Sequence, residues 1–294
     1  MIFTQQEKDE FLPNLIRWAQ GQPLVRAVLL TSTLAVPGAP VDIFSDFDVI
    51  LALRDVQPYF QDRAWLEDFG PVLAMYRDPL EPEDGFLKSG NVTQYENGLK
   101  IDFTLWPVEL LQKTAAGSSL PPEFDAGYRV LLDKDHLTAG LKAPTYRGYI
   151  PSPPTEAEYL KKIEEFFLDT GYVAKFLWRG DLMAAKTILE YFIKDEHLRP
   201  MLEWHFEIEH QWSVKPGPHG RGLQKWLRGD LWAELADTYT GFSAEESWQA
   251  LHKTIALMRK AAGEVGANLG YAYPADLDRR AEAYLQAVKN QPHG

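Results

Sequence analysis

Four prolines fall within the thirteen residues Lys142-Ala-Pro-Thr-Tyr-Arg-Gly-Tyr-Ile-Pro-Ser-Pro-Pro154. Proline lacks the amide proton that a helix or an inner strand needs, and its ring clashes with the preceding turn, so no regular helix can run through this stretch. It separates two halves of different texture in a chain of 294 residues, a length that suits one large domain or two ordinary ones. The expected division is 1–141, a connector at 142–154, and 155–294.

The first half holds short strand-like runs between turn residues. Leu24–Leu30, Asp46–Leu53 and Val72–Tyr76 have strand length and composition. Phe86–Tyr95 and Lys100–Trp106 flank Glu96-Asn-Gly98, and Asn-Gly is a strong hairpin signal. Thr4 with Glu7 forms a capping box for an opening helix. The second half reads as helical. Thr155 and Glu158 form another capping box, and Tyr159, Ile163, Phe166, Phe167, Thr170, Ala174 and Leu177 follow at helical spacing. Further helices are expected at 181–194, 197–211, 244–266 and 275–289, with Ser243 capping one of them. The alternation of strands and helical stretches makes the first half an α/β or α+β unit, and the second half is mostly helical.

Composition narrows the chemistry. There is no cysteine, which removes disulfides, thiolate metal sites and cysteine nucleophiles. The N-terminal residues show no basic segment leading into an apolar one, and no run nears the roughly 18 apolar residues of a membrane span, so a cytoplasmic protein is expected. Net charge is −12. Residues 1–150 carry 13 basic and 21 acidic side chains, and residues 151–294 carry 17 and 21. Such surfaces repel nucleic acid and attract small cations. Oligomeric state is not legible.

The segment Leu29-Leu-Thr-Ser-Thr33 through Asp46-Phe-Asp48 and on to Leu53 reads as strand, hydroxyl-rich turn, loop and second strand. Residues two apart on a strand share a face, so Asp46 and Asp48 lie side by side. Adjacent carboxylates repel unless a cation joins them, and hard Mg²⁺ takes one or two carboxylates plus phosphate oxygens. Ser32 lies in the preceding turn, where backbone amides and a hydroxyl can hold phosphate. Asp102 begins another strand, Leu99–Leu105. Three such acids below a phosphate-holding turn point to metal-assisted phosphoryl or nucleotidyl transfer. Similar acid pairs at Asp133/Asp135 and Glu207/Glu209 read as solvated; Asp46 and Asp48 stand out because an apolar strand follows them.

The run Asp42-Ile-Phe-Ser-Asp-Phe-Asp48 resembles the signature of the streptomycin-type aminoglycoside 6-adenylyltransferases, within the polymerase-beta-like nucleotidyltransferase superfamily. The resemblance continues in Glu96–Leu105, Tyr172–Lys186, Leu198–Trp204 and Gly270–Pro274, in order along nearly the whole chain. It implies a mixed-sheet nucleotidyltransferase domain followed by a helical domain, with the site in the cleft between them. It also implies that an antibiotic hydroxyl takes AMP from ATP and that pyrophosphate leaves. Asp46 and Asp48 would hold Mg²⁺, and Asp102 would complete the metal site or accept the proton. By the resemblance Lys175 would reach the triphosphate. Arg179, four residues on and on the same helical face, joins it as a nucleotide-binding candidate beside Ser32 and Thr33 of the turn. A solvated helix face with an ion pair is the other reading of Lys175 and Arg179.

Where the family carries Gly-Ser, often followed by Arg, this chain has Thr31-Ser32-Thr33. If that turn needs a positive φ at its first residue, Thr31 costs about 1–3 kcal/mol there. Two other readings stay open beside the first: transfer to a different acceptor (a lincosamide, a metabolite or a protein), or a ligand-binding relative without transfer. Gly217-Pro-His-Gly-Arg-Gly222 lacks the ending of a phosphate-binding P-loop and reads as a helix–helix connection. His205 and His210 have the wrong spacing for a helical zinc pair, and relatives usually carry tyrosine at the position of His205.

Overall fold

The structure is a computed structural model describing residues 3–83 and 85–292. Met1, Ile2, Asp84, His293 and Gly294, which fall within the expected 1–141 and 155–294 spans, lie outside the described residues. The chain divides into two compact units, one ending at Tyr149 and one beginning at Ile150.

In the first unit, α1 (Gln5–Gly21) starts at the Thr4–Glu7 capping box, with both reciprocal hydrogen bonds formed. Its residues Lys8, Phe11, Leu15 and Ala19 recur at helical spacing and are buried. Seven strands are described: β1 (Val25–Thr31), β2 (Phe47–Leu53), β3 (Val72–Arg77), β4 (Glu81–Glu83), β5 (Phe86–Tyr95), β6 (Lys100–Pro107) and β7 (Tyr128–Asp133). They form one sheet in the order β3-β5-β6-β2-β1-β7, with β4 paired to β5. The β2–β6 pair is parallel and the others are antiparallel, so the sheet is mixed. The Asn97-Gly98 signal holds: Gly98, at φ 93°, closes the β5–β6 hairpin with its amide on the Tyr95 carbonyl. β7, which no local pattern announces, pairs with β1 across about a hundred residues of chain.

Each sheet face carries its own core. On one, Phe11 and Leu15 of α1 meet Val28, Val49, Phe103 and the short α2 (Gln57–Gln61) segment. On the other, α3 (Val108–Ala116) and α4 (Pro122–Asp125) cover Ala27, Leu29, Ile50, Ala52 and Trp106. The first part of the proline-rich connector is tied to this unit, because Thr145 donates to Asp125 from both its amide and its hydroxyl.

The second unit is helical. α5 (Glu156–Arg179) begins at the Thr155–Glu158 capping box and buries each of the seven residues that its periodicity marks. α6 (Leu182–Thr187) runs through a π-helical stretch, Ile188–Leu198, into α7 (Arg199–Glu209) without a break, where the sequence pattern predicts two separate helices. Pro200 accounts for the wide turn. It cannot donate to the Glu196 carbonyl and would clash with it in tight α geometry; that carbonyl accepts from Lys162 Nζ instead, at 3.1 Å. α8 (Leu223–Trp226), α9 (Gly229–Asp237), α10 (Ala244–Leu269) and α11 (Ala275–Lys289) complete the unit. Among the described residues no helix is long and apolar enough to cross a membrane.

Candidate active site

The alternation of β2 and β6 sets out the acids. Asp48 pairs with Asp102 and Phe47 with Ile101 in the parallel ladder, which places Asp46, just before β2, level with Lys100. Phe47, Ile101 and Phe103 point into the core beneath. Asp46, Asp48, Lys100 and Asp102 share the opposite face, which continues into Ile50, Ala52 and Trp106 under α3. The apolar ends of the two strands are thus plugged by core, and their N-terminal ends are left polar.

Lys100 sits between the acids. Its Nζ donates to Asp46 Oδ2 at 2.8 Å and to Asp102 Oδ2 at 2.9 Å. Burial works against the ammonium, but the hydrogen bonds to Asp46 and Asp102 outweigh it and hold its pKa above the ordinary lysine value. Burial raises Asp102, with Lys100 pulling the other way. Asp48 is pushed up to about 6, first by burial and then by the facing Asp102 charge, while the Ser32 hydroxyl donates to it and lowers it. Asp102 Oδ1 is buried with no hydrogen-bond partner.

The turn before this face differs from the sequence expectation. Thr31 is the last residue of β1, paired with Asp48 on one side and Tyr128 on the other, so its backbone is extended. The positive φ falls on Ser32 instead, at φ 60° and ψ −154°. That region is nearly confined to glycine and costs about 1–3 kcal/mol for other residues. The strain sits where the Ser32 hydroxyl reaches Asp48. Thr33 opens the short 3₁₀ turn Thr33–Ala35 that follows.

Two lysines that no motif singles out shape the site. Lys100 is one. The other is Lys8, in the first turns of α1, which is 6% exposed. Its Nζ donates to the carbonyls of Asp42, Ile43 and Ser45 at 2.5, 2.9 and 2.8 Å. These carbonyls belong to the loop that delivers Asp46, so α1 braces the acid pair from beneath. Burial depresses the Lys8 pKa, and the Asp42 and Asp46 charges oppose that shift. A lone lysine on an amphipathic helix gives no local sign of this role; its acceptors lie 34 to 37 residues away.

Among the described residues no three histidine or acidic side chains gather into a group able to hold a metal ion. Asp46, Asp48 and Asp102 are therefore neighbours, not a ready-made three-ligand nest, because Lys100 engages one oxygen each of Asp46 and Asp102. The donor set still fits a hard cation. It offers carboxylate oxygens from adjacent positions, mutual repulsion that holds Asp48 up, and one buried oxygen without a partner. Two carboxylates plus substrate phosphates are a sufficient set for Mg²⁺.

Lys175 and Arg179 lie one turn apart on α5 in the helical unit. With Trp178, Tyr284, Val288 and Gln291 they line a cavity of about 370 Å³ between α5 and α11. Lys175 Nζ lies 4.7 Å from the Tyr172 ring centroid. His205 is buried on α7 and bonded through Nε2 to Glu264 at 2.7 Å, with Arg228 on the same carboxylate. Of the acidic residues on α7, Glu207 is fully buried and accepts from the Val214 amide, where the sequence pattern predicts a solvated side chain. The Asp133/Asp135 pair is also structural: Asp133 accepts from Leu137 and Thr138, and Asp135 binds Arg26.

The chain matches the family described as streptomycin adenylyltransferase over residues 5–288. It is 28% identical over 288 residues to the aminoglycoside 6-adenylyltransferase of Bacillus subtilis strain 168, covering 96% of this chain and 97% of that protein. The protein of the same name from Campylobacter jejuni is 27% identical over 282 residues, covering 94% of each. That from Staphylococcus aureus is 23% identical over 280 residues, covering 94% of this chain and 96% of the relative. A crystal structure described as an aminoglycoside 6-adenyltransferase from Bacillus subtilis aligns over 98% of this chain and 100% of that chain, with a TM-score of 0.49 and 26% identity.

Proposed function

The chain belongs to the streptomycin adenylyltransferase family of nucleotidyltransferase enzymes, and from that premise we propose that it moves AMP from ATP to a hydroxyl of a small cationic aminoglycoside such as streptomycin, with Mg²⁺ as the cofactor. The observation that carries this reading within the chain is the placement of Asp46, Asp48 and Asp102 on one face of adjacent strands, beside the strained Ser32 turn.

Asp46 and Asp48 would hold the cation, which when bound neutralises triphosphate charge and the charge that develops on the leaving pyrophosphate. Asp102 is the proton acceptor. Burial raises its pKa above the ordinary carboxylate value, and Lys100 engages only one of its two oxygens. The acceptor oxygen bonds to the α-phosphorus as its proton passes to Asp102; the bond from that phosphorus to the bridging oxygen breaks, and pyrophosphate departs with the bond pair. Ser32 fixes the ionised Asp48 through its hydroxyl and, with Thr33, presents a turn to phosphate. Lys175 and Arg179, which line the cavity beside α11, are the further side chains we assign to the nucleotide, by their charge. The acidic surface favours a polycationic acceptor over nucleic acid. A cytoplasmic location supplies ATP and Mg²⁺.

Purified protein incubated with ATP, Mg²⁺ and a panel led by streptomycin tests the reading. Pyrophosphate release together with an AMP adduct on the antibiotic, both absent in Asp48→Asn, is the expected result. Release with no aminoglycoside in the panel, from a folded protein that binds ATP, would overturn the acceptor assignment.

A further inference from the structure

We propose that Lys100 is a built-in counter-cation, which holds Asp46 and Asp102 together before metal and nucleotide arrive and is displaced from Asp46 when the divalent cation binds. The inference rests on the reading that Asp46 and Asp48 are the metal ligands.

The register makes the arrangement a property of the backbone. Lys100 and Asp102 are two apart on β6, Asp48 pairs with Asp102 from β2, and Asp46, just before β2, meets Lys100 on the same face. Three carboxylates so placed would push one another apart in an empty site. One ammonium at 2.8 and 2.9 Å from two of them removes most of that repulsion. It also occupies one oxygen of Asp46, Oδ2, a carboxylate that the metal reading needs. An ammonium and a divalent cation on the same carboxylate repel each other, so binding of one weakens the other.

Lys100 is suited to yield. Its side chain is 31% exposed, and every hydrogen bond described for it goes to these two acids, so it can leave Asp46 for water while keeping Asp102. Lys8 is the contrast: 6% exposed and bound to three carbonyls, it has no such freedom. Lys100 is thus a positioning residue. It keeps the proton acceptor and a metal ligand aligned in the resting state and hands the ligand over on loading.

The full chain is titrated with Mn²⁺ alone, free metal being read by electron paramagnetic resonance, for the wild type, Lys100→Gln, Lys100→Arg and Asp48→Asn. One positive charge about 6 Å from a divalent ion in water-like surroundings is worth about tenfold in affinity. Lys100→Gln is therefore expected to bind Mn²⁺ about tenfold more tightly, Lys100→Arg to stay near wild type, and Asp48→Asn to bind at least about tenfold more weakly. In the wild type, acylation of Lys100, followed by peptide mass spectrometry, is expected to rise several-fold on saturation with Mn²⁺; this readout needs no variant to fold. Unchanged or weaker binding by a folded Lys100→Gln, with Asp48→Asn still impaired, overturns the counter-cation role alone, as does labelling indifferent to metal. Binding insensitive to Asp48→Asn overturns the metal-ligand reading and this inference with it.

Discussion

Asp48→Asn should make the protein more stable while disabling it. The substitution keeps the side-chain shape and removes a charge that the fold holds at a disadvantage. Burial and the facing Asp102 raise the Asp48 carboxyl from 3.8 to about 6. At about 1.4 kcal/mol per unit, keeping it ionised costs at most about 3 kcal/mol. Asp48 is only partly enclosed and solvent screens some of that, so the expected gain at about pH 8 is about 1–2 kcal/mol. A carboxyl with a raised folded pKa penalises the fold wherever it is charged. Wild type therefore recovers stability as pH falls through about 6, and the two proteins converge near about pH 4, where the carboxyl is protonated folded or unfolded. Urea unfolding in EDTA, followed by tryptophan fluorescence at several pH values, measures the difference. A variant no more stable than wild type at about pH 8, or a gain undiminished at about pH 4, would refute the account in which burial and Asp102 set the Asp48 charge.

Lys8→Met should lower stability by about 2–3 kcal/mol, because three carbonyls lose a charged donor; kcat should fall further than stability alone explains, since Asp46 rides on the braced loop. Normal kcat with lowered stability would detach Lys8 from the site. Thr31→Gly should cost about 1–2 kcal/mol of stability and leave the ATP KM no better, because Thr31 is paired strand and Ser32 holds the positive φ; a lower KM would show that the strain lies at Thr31 after all. In the helical unit, Asp278 accepts from Arg259 at 2.6 and 2.8 Å and from Tyr273 at 2.8 Å. Burial opposes its charge but these donors outweigh it and depress its pKa, so its contribution is present above about pH 4 and is lost as pH falls below that. Asp278→Ala should lose about 2–4 kcal/mol at neutral pH and flatten the acid limb of a urea series; an unchanged acid limb would remove Asp278 from the cause.

Sequence suffices where the governing physics is local. The capping boxes at Thr4 and Thr155 need only four residues, the Asn97-Gly98 hairpin three, and the seven buried positions of α5 only the helical period. Asp46 and Asp48 were visible because strand alternation alone puts them on one face. Sequence patterns failed where a residue's partner is distant. β7 exists because β1 offers it an edge. The helix through 182–209 continues past Pro200 by widening into π geometry ahead of it, and the Glu196 carbonyl accepts from Lys162 on another helix, a partner no local pattern names.

The same division runs through the site. The amino-acid sequence by itself determined which acids exist, their shared face and the hydroxyl-rich turn before them, since period and residue type are enough for that. Tertiary structure alone decided that Ser32 rather than Thr31 carries the positive φ, that Lys8 braces the loop before Asp46, and that Lys100 stands between Asp46 and Asp102. An isolated lysine has no signature in one dimension. Lys8 finds acceptors only 34 to 37 residues away, and Lys100, beside Asp102 on its own strand, becomes a bridge only when folding brings Asp46 from 54 residues away within hydrogen-bond reach.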